Sequence, residues 1–135
     1  MHVNGKDYII IAGGNLGSSY TSKVHVLSFD GSDLSIVTTI NLPVAYDKMA
    51  GCTINVNGVD YAIFSGGRIY NTGESKMYYV LKFDGINVKV VAQGEMPTAM
   101  SLVSALKIYI NGNNSIALVC GSSVNILTNK GVYNN

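Results

Sequence analysis

Charge is scarce in this 135-residue chain, and its scarcity excludes a class of partner. Charged residues make up 13% of the chain and the formal net charge is +1, leaving no basic surplus to displace counterions from a nucleic-acid backbone. No nucleic-acid partner is expected. Long hydrophobic runs are also missing. The longest apolar stretches, around residues 8–12 and 78–81, fall far short of the roughly 20 residues a membrane helix needs, so no membrane span is expected. Met1 is followed by the polar turn Asn4-Gly5-Lys6-Asp7, where a secretory leader would carry basic residues and then an apolar run.

Metal ligands and catalytic bases are few. The histidines are His2 and His25, and neither a His-x-His nor a Cys-x-x-Cys spacing occurs. No metal or cofactor is expected. Serines abound, but neither histidine lies in a turn or glycine elbow that would present a base to one. Gly13-Gly14 leads into Asn15-Leu16-Gly17 without the Gly-x-Gly-x-x-Gly spacing of a phosphate loop. No catalytic residue is assigned and the chain is not expected to be an enzyme. Cys52 and Cys120 fall in apolar strand-like runs, where an unpaired thiol behaves as a small hydrophobe, so both are expected as buried free thiols.

What is present is a repeat. Residues 3–14 read VNGKDYIIIAGG and residues 56–67 read VNGVDYAIFSGG, an offset of 53. VLSFDG at 26–31 and VLKFDG at 80–85, like Pro43 and Pro97, are offset by 54. A weaker third copy starts at Asn111-Gly112, runs through the apolar residues 116–120 and ends in Gly121-Ser122. Ordered matches at nearly one spacing mark a duplicated structural unit.

Each unit has the chemistry of short antiparallel strands joined by turns. Asn57-Gly58 and Asn111-Gly112 suit two-residue type I′ hairpins, and Asp30-Gly31 and Asp84-Gly85 are expected to do the same. Strands are predicted over 51–56, 61–65, 77–83 and 88–92 in the second unit. The first has 8–12, 23–29 and 34–40, with a stub at 2–3; the third has 102–110, 116–120 and 124–128, and no fourth. Helices are not expected in segments this short and this rich in Val, Ile and Tyr. Runs such as Tyr8-Ile9-Ile10-Ile11-Ala12 are apolar on both alternating sets of positions, so both sheet faces must be covered, as in stacked sheets.

These residues resemble the kelch repeat, whose period is about 50 residues. The family pattern of an apolar strand ending in Gly-Gly is met by Ala12-Gly13-Gly14 and Ser65-Gly66-Gly67. Its aromatic-Asp turn is met by Phe29-Asp30-Gly31 and Phe83-Asp84-Gly85, and its exit by Leu42-Pro43 and Met96-Pro97. The chain departs from the pattern in having Ile36 and Val90 at the Trp position, and Tyr46 and Met100 where an Arg often follows the Pro. The resemblance covers almost the whole chain. It implies an all-β, kelch-type or galactose-oxidase-like propeller of consecutive four-stranded antiparallel blades, over about 1–42, 43–96 and 97–135. That is about 2.5 to 3 blades, an incomplete ring, since rings typically need 4 to 8. Ring closure is then expected from copies of the chain or from the remaining blades of a larger protein.

Within that frame the Asn-Gly and Asp-Gly turns trim one face, and the connections 15–22, 41–50, 68–76 and 93–101 form long loops on the other. Loops on a rigid scaffold carry recognition, so Asn15, Tyr20, Tyr46, Asp47, Lys48, Arg68, Tyr70, Asn71 and Glu74 are the candidate binding residues. The resemblance implies a non-enzymatic protein-binding module. A glycan-binding or attachment domain, with Tyr20, Tyr46 or Tyr70 stacked on a sugar, and a fragment of a galactose-oxidase-like enzyme are the alternatives. The enzyme would need converging histidines, yet His25 lies in a strand and is expected to pack between blades. Sialidase-like propellers need an arginine cluster, and Arg68 is the only arginine.

Overall fold

The computed structural model describes residues 1–110, 112–120, 123–128 and 131–134. Among these residues the regular structure is entirely β, and every pairing of neighbouring strands is antiparallel. The strands are β1 (His2–Val3), β2 (Lys6–Ala12), β3 (Thr21–Phe29), β4 (Leu34–Val56), β5 (Val59–Ile69), β6 (Gly73–Phe83), β7 (Val88–Met100), β8 (Ser104–Ile110), β9 (Asn113–Cys120), β10 (Ser123–Thr128) and β11 (Gly131–Asn134). Strands β1 to β7 pair in chain order as one sheet, and β8 to β11 form a second meander.

Two of the expected long loops are strands instead. Residues 41–50 lie within β4, a single strand of 23 residues. Its N-terminal half pairs with β3, from Phe29↔Leu34 to Lys23↔Asn41, and its C-terminal half with β5, from Tyr46↔Ile69 to Val56↔Val59. Leu42, Tyr46 and Ala50 are buried, so packing holds the changeover extended. Residues 93–100 likewise continue β7, which stays paired to β6 as far as Ser75↔Met100. The third unit also has the fourth strand that its sequence did not announce. Strand β11 is only four residues long and follows β10 closely, too short for a period to show.

Because β4 changes partners, the first sheet folds back on itself. Val24 and Val26 of β3 share a core with Ala62 and Phe64 of β5 and with Tyr79, Leu81 and Phe83 of β6. In a flat sheet, strands four places apart, as β2 and β6 are, would lie about 19 Å from each other with parallel side chains. Here the rings of Tyr8 and Phe83 meet edge-on at 4.8 Å. The opposite face of the middle strands, including Ala50 of β4, Ile63 of β5 and Met96 of β7, packs on Ile116, Leu118 and Leu127 of the second sheet. The result is three packed layers. The first is β1 to β3 with the N-terminal half of β4, the middle is the rest of β4 with β5 to β7, and the third is β8 to β11.

Alternation along the middle strands serves two cores. Phe64, Tyr79 and Leu81 enter the first, whereas Ile63, Tyr78 and Val80 enter or adjoin the second. Each fully buried apolar side chain of this size contributes about 1.5–3 kcal/mol. The duplication is visible in backbone detail as well. The β-bulge between Val26 and Leu27 recurs between Val80 and Leu81, and the irregularity between Thr21 and Lys23 recurs between Ser75 and Met77.

The Asn57-Gly58 turn is as expected, and Asn4-Gly5 has the same geometry. Asn4 and Gly5 have φ of 51° and 76°, and Asn57 and Gly58 have 52° and 81°, the left-handed pair a type I′ hairpin requires. Asn111 lies outside the described residues. The Asp-Gly turns differ from the expectation: in each only the glycine has positive φ, 106° at Gly31 and 105° at Gly85. They are four-residue connections closed by the aspartate itself. Asp30 Oδ1 accepts from the backbone N–H of Ser32 and of Asp33, both at 2.8 Å. Asp84 Oδ1 accepts from Ile86 at 2.9 Å and Asn87 at 2.7 Å. A carboxylate that caps two amides does locally what a backbone turn would do.

The Gly-Gly pairs mark close approaches. A Cβ on Gly13 would stand 2.6 Å from the carbonyl oxygen of Tyr46, and one on Gly66 would stand 2.5 Å from that of Met100. Both glycines also have positive φ, 70° and 66°. Gly66→Ala should therefore lower stability in urea unfolding by about 2–3 kcal/mol. Gly58→Ala, where a Cβ meets nothing, should cost about 1 kcal/mol from backbone strain alone.

Backbone N–H donors hold the carboxyls of Asp30 and Asp84 below the usual value for aspartate. A depressed folded-state pKa adds stability that is present above the unfolded value, about 3.9, and is lost as pH falls through the folded one. The wild-type unfolding midpoint should decline below about pH 4, and Asp84→Asn should flatten part of that decline. Urea midpoints between pH 2 and 6 check this.

Candidate functional site

The Gly-Gly ends of the strands carry the polar cluster. After Gly14 the chain makes a narrow loop: Asn15 Oδ1 accepts from Gly17 N at 2.7 Å, and Leu16 N donates to Ser19 O at 2.8 Å. An isolated bridge, Asn15↔Tyr20, closes the loop and delivers Tyr20 at the start of β3. Arg68 follows Gly66-Gly67 directly. Backbone register places it opposite Asp47 on β4 and opposite Glu74 on β6.

Arg68 is the hub. Its Nε donates to Asp47 Oδ1 at 3.3 Å and its Nη2 to Asp47 Oδ2 at 3.4 Å. The same Nη2 donates to the Tyr20 hydroxyl at 3.0 Å. The ring of Tyr20 stands edge-on to that of Tyr70, centroids 5.3 Å apart. Asp47 is buried beneath while the Arg68 side chain is 39% exposed, so the carboxylate forms a floor under the cation. Hydrogen bonding and charge from Asp47 hold the Arg68 guanidinium above its ordinary pKa. A planar donor fork fixed in this way is suited to a carboxylate or carbonyl on a partner.

The other expected residues surround it. Tyr70 is exposed in the turn between β5 and β6, where Thr72 N donates to Ile69 O at 3.1 Å. Asn71 adopts φ 58° in that turn, and Lys48, with φ 55°, is exposed beside Asp47. Glu74 Oε1 accepts from Ser101 Oγ at 2.7 Å. Asp47, Arg68, Tyr20 and Tyr70 thus touch in that order, with Glu74 on the neighbouring strand.

Tyr46 requires a correction. The expected open loop at 41–50 is a covered strand, and Tyr46 is fully buried in the core between the first and middle layers. Its hydroxyl shares a hydrogen bond with that of Tyr79 at 2.9 Å, and its carbonyl accepts from Gly14 N at 2.7 Å. Asp47 is buried too, with its carboxylate held against the Arg68 guanidinium. Tyr79 went unnoticed in the sequence. Its signal was a tyrosine in an apolar strand, since a buried phenol demands a hydrogen-bonding partner. Burial, and then the bond to Tyr46, push the Tyr79 phenol well above its ordinary pKa, so this contact stays neutral.

The histidines are placed elsewhere. His25 stands on the outer face of the first layer, its Nδ1 2.8 Å from Thr39 Oγ1, rather than between layers. His2 contacts Asp7 at 2.8 Å at the opposite ends of the strands from Arg68. Among the described residues no group of three or more His, Cys, Asp or Glu side chains could hold a metal. Cys52 is a half-buried free thiol beside the second core, raised in pKa by burial, and the side chain of Cys120 lies outside the described residues. A largely apolar cavity of about 420 Å³, lined by Ile54, Tyr61, Tyr78, Val91 and Asn114 among others, opens between the middle and third layers, away from Arg68. No helix among the described residues is long and apolar enough to cross a membrane.

No protein-family model matches the chain, and no curated protein matches its sequence.

The Tyr46–Tyr79 bond supports the floor of this cluster, and its worth can be measured. Tyr46→Phe and Tyr79→Phe should each cost about 1–2 kcal/mol, because each strands one buried hydroxyl. The double variant should recover most of that loss. Equilibrium unfolding of all four proteins checks it.

Proposed function

We propose that the three layers are consecutive, divergent kelch-type blades, and that the chain is a non-enzymatic module binding a protein partner through the surface around Arg68 and Tyr70. The observation that carries this reading is the Arg68 guanidinium held by Asp47 and Tyr20 beside an exposed tyrosine. Arginine and tyrosine dominate binding hot spots. A side chain already locked in place loses less entropy when a partner arrives. The blade reading is supported by the Gly-Gly pairs, the recurring bulges and the two cores on opposite faces of the middle layer.

A sugar ligand would have to rely on Tyr70 and Tyr20, because Tyr46 is enclosed. The test uses partners captured on the immobilised chain, together with a glycan array. Tyr70→Ala and Lys48→Glu should each weaken the captured protein at least tenfold, about 1.4 kcal/mol, while Lys6→Ala at the opposite end leaves it unchanged. Undiminished partner binding by both site variants contradicts the proposal. Saturable glycan binding lost on Tyr70→Ala, without a protein partner, would reassign the surface to a carbohydrate.

A further inference from the structure

The outer face of the first layer is apolar and bare. Ile9, Ile11, Phe29, Leu34 and Ile36 are between 46% and 61% exposed. One repeat further on, the same positions are Ala62, Phe64, Phe83, Val88 and Val90, and those pack in the core between the first and middle layers. The correspondence holds in register. Ile9–Leu27–Ile36 crosses β2, β3 and β4 as Ala62–Leu81–Val90 crosses β5, β6 and β7, with the bulge at the same step. The bare face therefore has the form of a surface that, one repeat later, receives a neighbouring layer.

The third layer ends on the complementary face. Leu106–Ala117–Ile126 crosses β8, β9 and β10 as Cys52–Ile63–Val80 crosses β4, β5 and β6. In the middle layer that row packs onto the next layer; in the third layer Leu106 at the edge of the row is exposed, Ile126 is half-buried and Ala117 is buried. One end of the chain thus carries the receiving face and the other the inserting face, the same two faces that meet at both internal junctions.

We infer that a second copy of this chain covers both ends, the third layer of each copy docking head to tail on the first layer of the other. Such a contact joins unlike surfaces and closes when rotation brings the last face back to the first. Two copies supply six layers, within the four to eight at which rings of this kind close, and three copies would exceed it. The inference rests on the blade reading but not on the Arg68 surface.

Light scattering tests it. The wild-type protein should have twice the chain mass. Ile9→Glu and Leu106→Glu should each give a monomer with unchanged β circular dichroism, and Ile36→Lys replaces the former should that fail to fold. Mixed in equal amounts, a first-layer variant and Leu106→Glu should pair again through their one unaltered junction, at least tenfold more weakly than wild type. A monomeric or filamentous wild type, a Leu106→Glu protein that remains dimeric, or folded variants that fail to pair on mixing would each overturn the inference. A monomer would leave the partner-binding result at Tyr70 standing.

Discussion

A strand apolar on both faces has to be covered twice, and that constraint organises this molecule. The middle strands meet it by giving alternate side chains to two different cores, Phe64 and Leu81 to one and Ile63 and Val80 to the other. Such coverage requires the chain to leave one layer and begin the next without exposing its backbone. Strand β4 does so by exchanging β3 for β5 as its partner while remaining extended. Tyr46 sits at that exchange, paired on one side with Thr21 and on the other with Ile69.

The candidate site is a by-product of the same exchange. Gly13 and Gly66 have no side chain because the carbonyls of Tyr46 and Met100 lie against them. Close passage at that point brings Asp47 under Arg68, and the loop after Gly14 brings Tyr20 over it. The Arg68 cluster thus stands on closely approaching backbone, where a buried carboxylate and a phenol limit the freedom of the arginine. An arginine on an open loop would have to be ordered by its partner, at the partner's cost in affinity.

Much of this was legible in the residues. The Asn-Gly hairpins, the repeat and the double-faced strands follow from local rules of turn geometry and side-chain period, which operate over a few residues. The grouping of Tyr20, Arg68 and Tyr70 followed from counting loops after each Gly-Gly pair. Tyr46 was misplaced because residues 41–50 contain Pro43 and Asp47 and read locally as a loop; burial from two layers overrides that signal. The Asp30 and Asp84 turns are longer than an Asp-Gly pair alone predicts, because aspartate can close a turn with its side chain as well as with positive φ.

The sequence by itself determined that this is a β protein built from a repeated unit of about fifty-four residues, because periodicity and turn residues act through nearest neighbours. Only the tertiary structure decided which residues of each unit meet. The pairing of Tyr46 with Tyr79, the seat of Arg68 on Asp47 and the bare outer face of Ile9 and Ile36 all depend on how layers stack, and stacking joins residues that the chain separates by tens of positions.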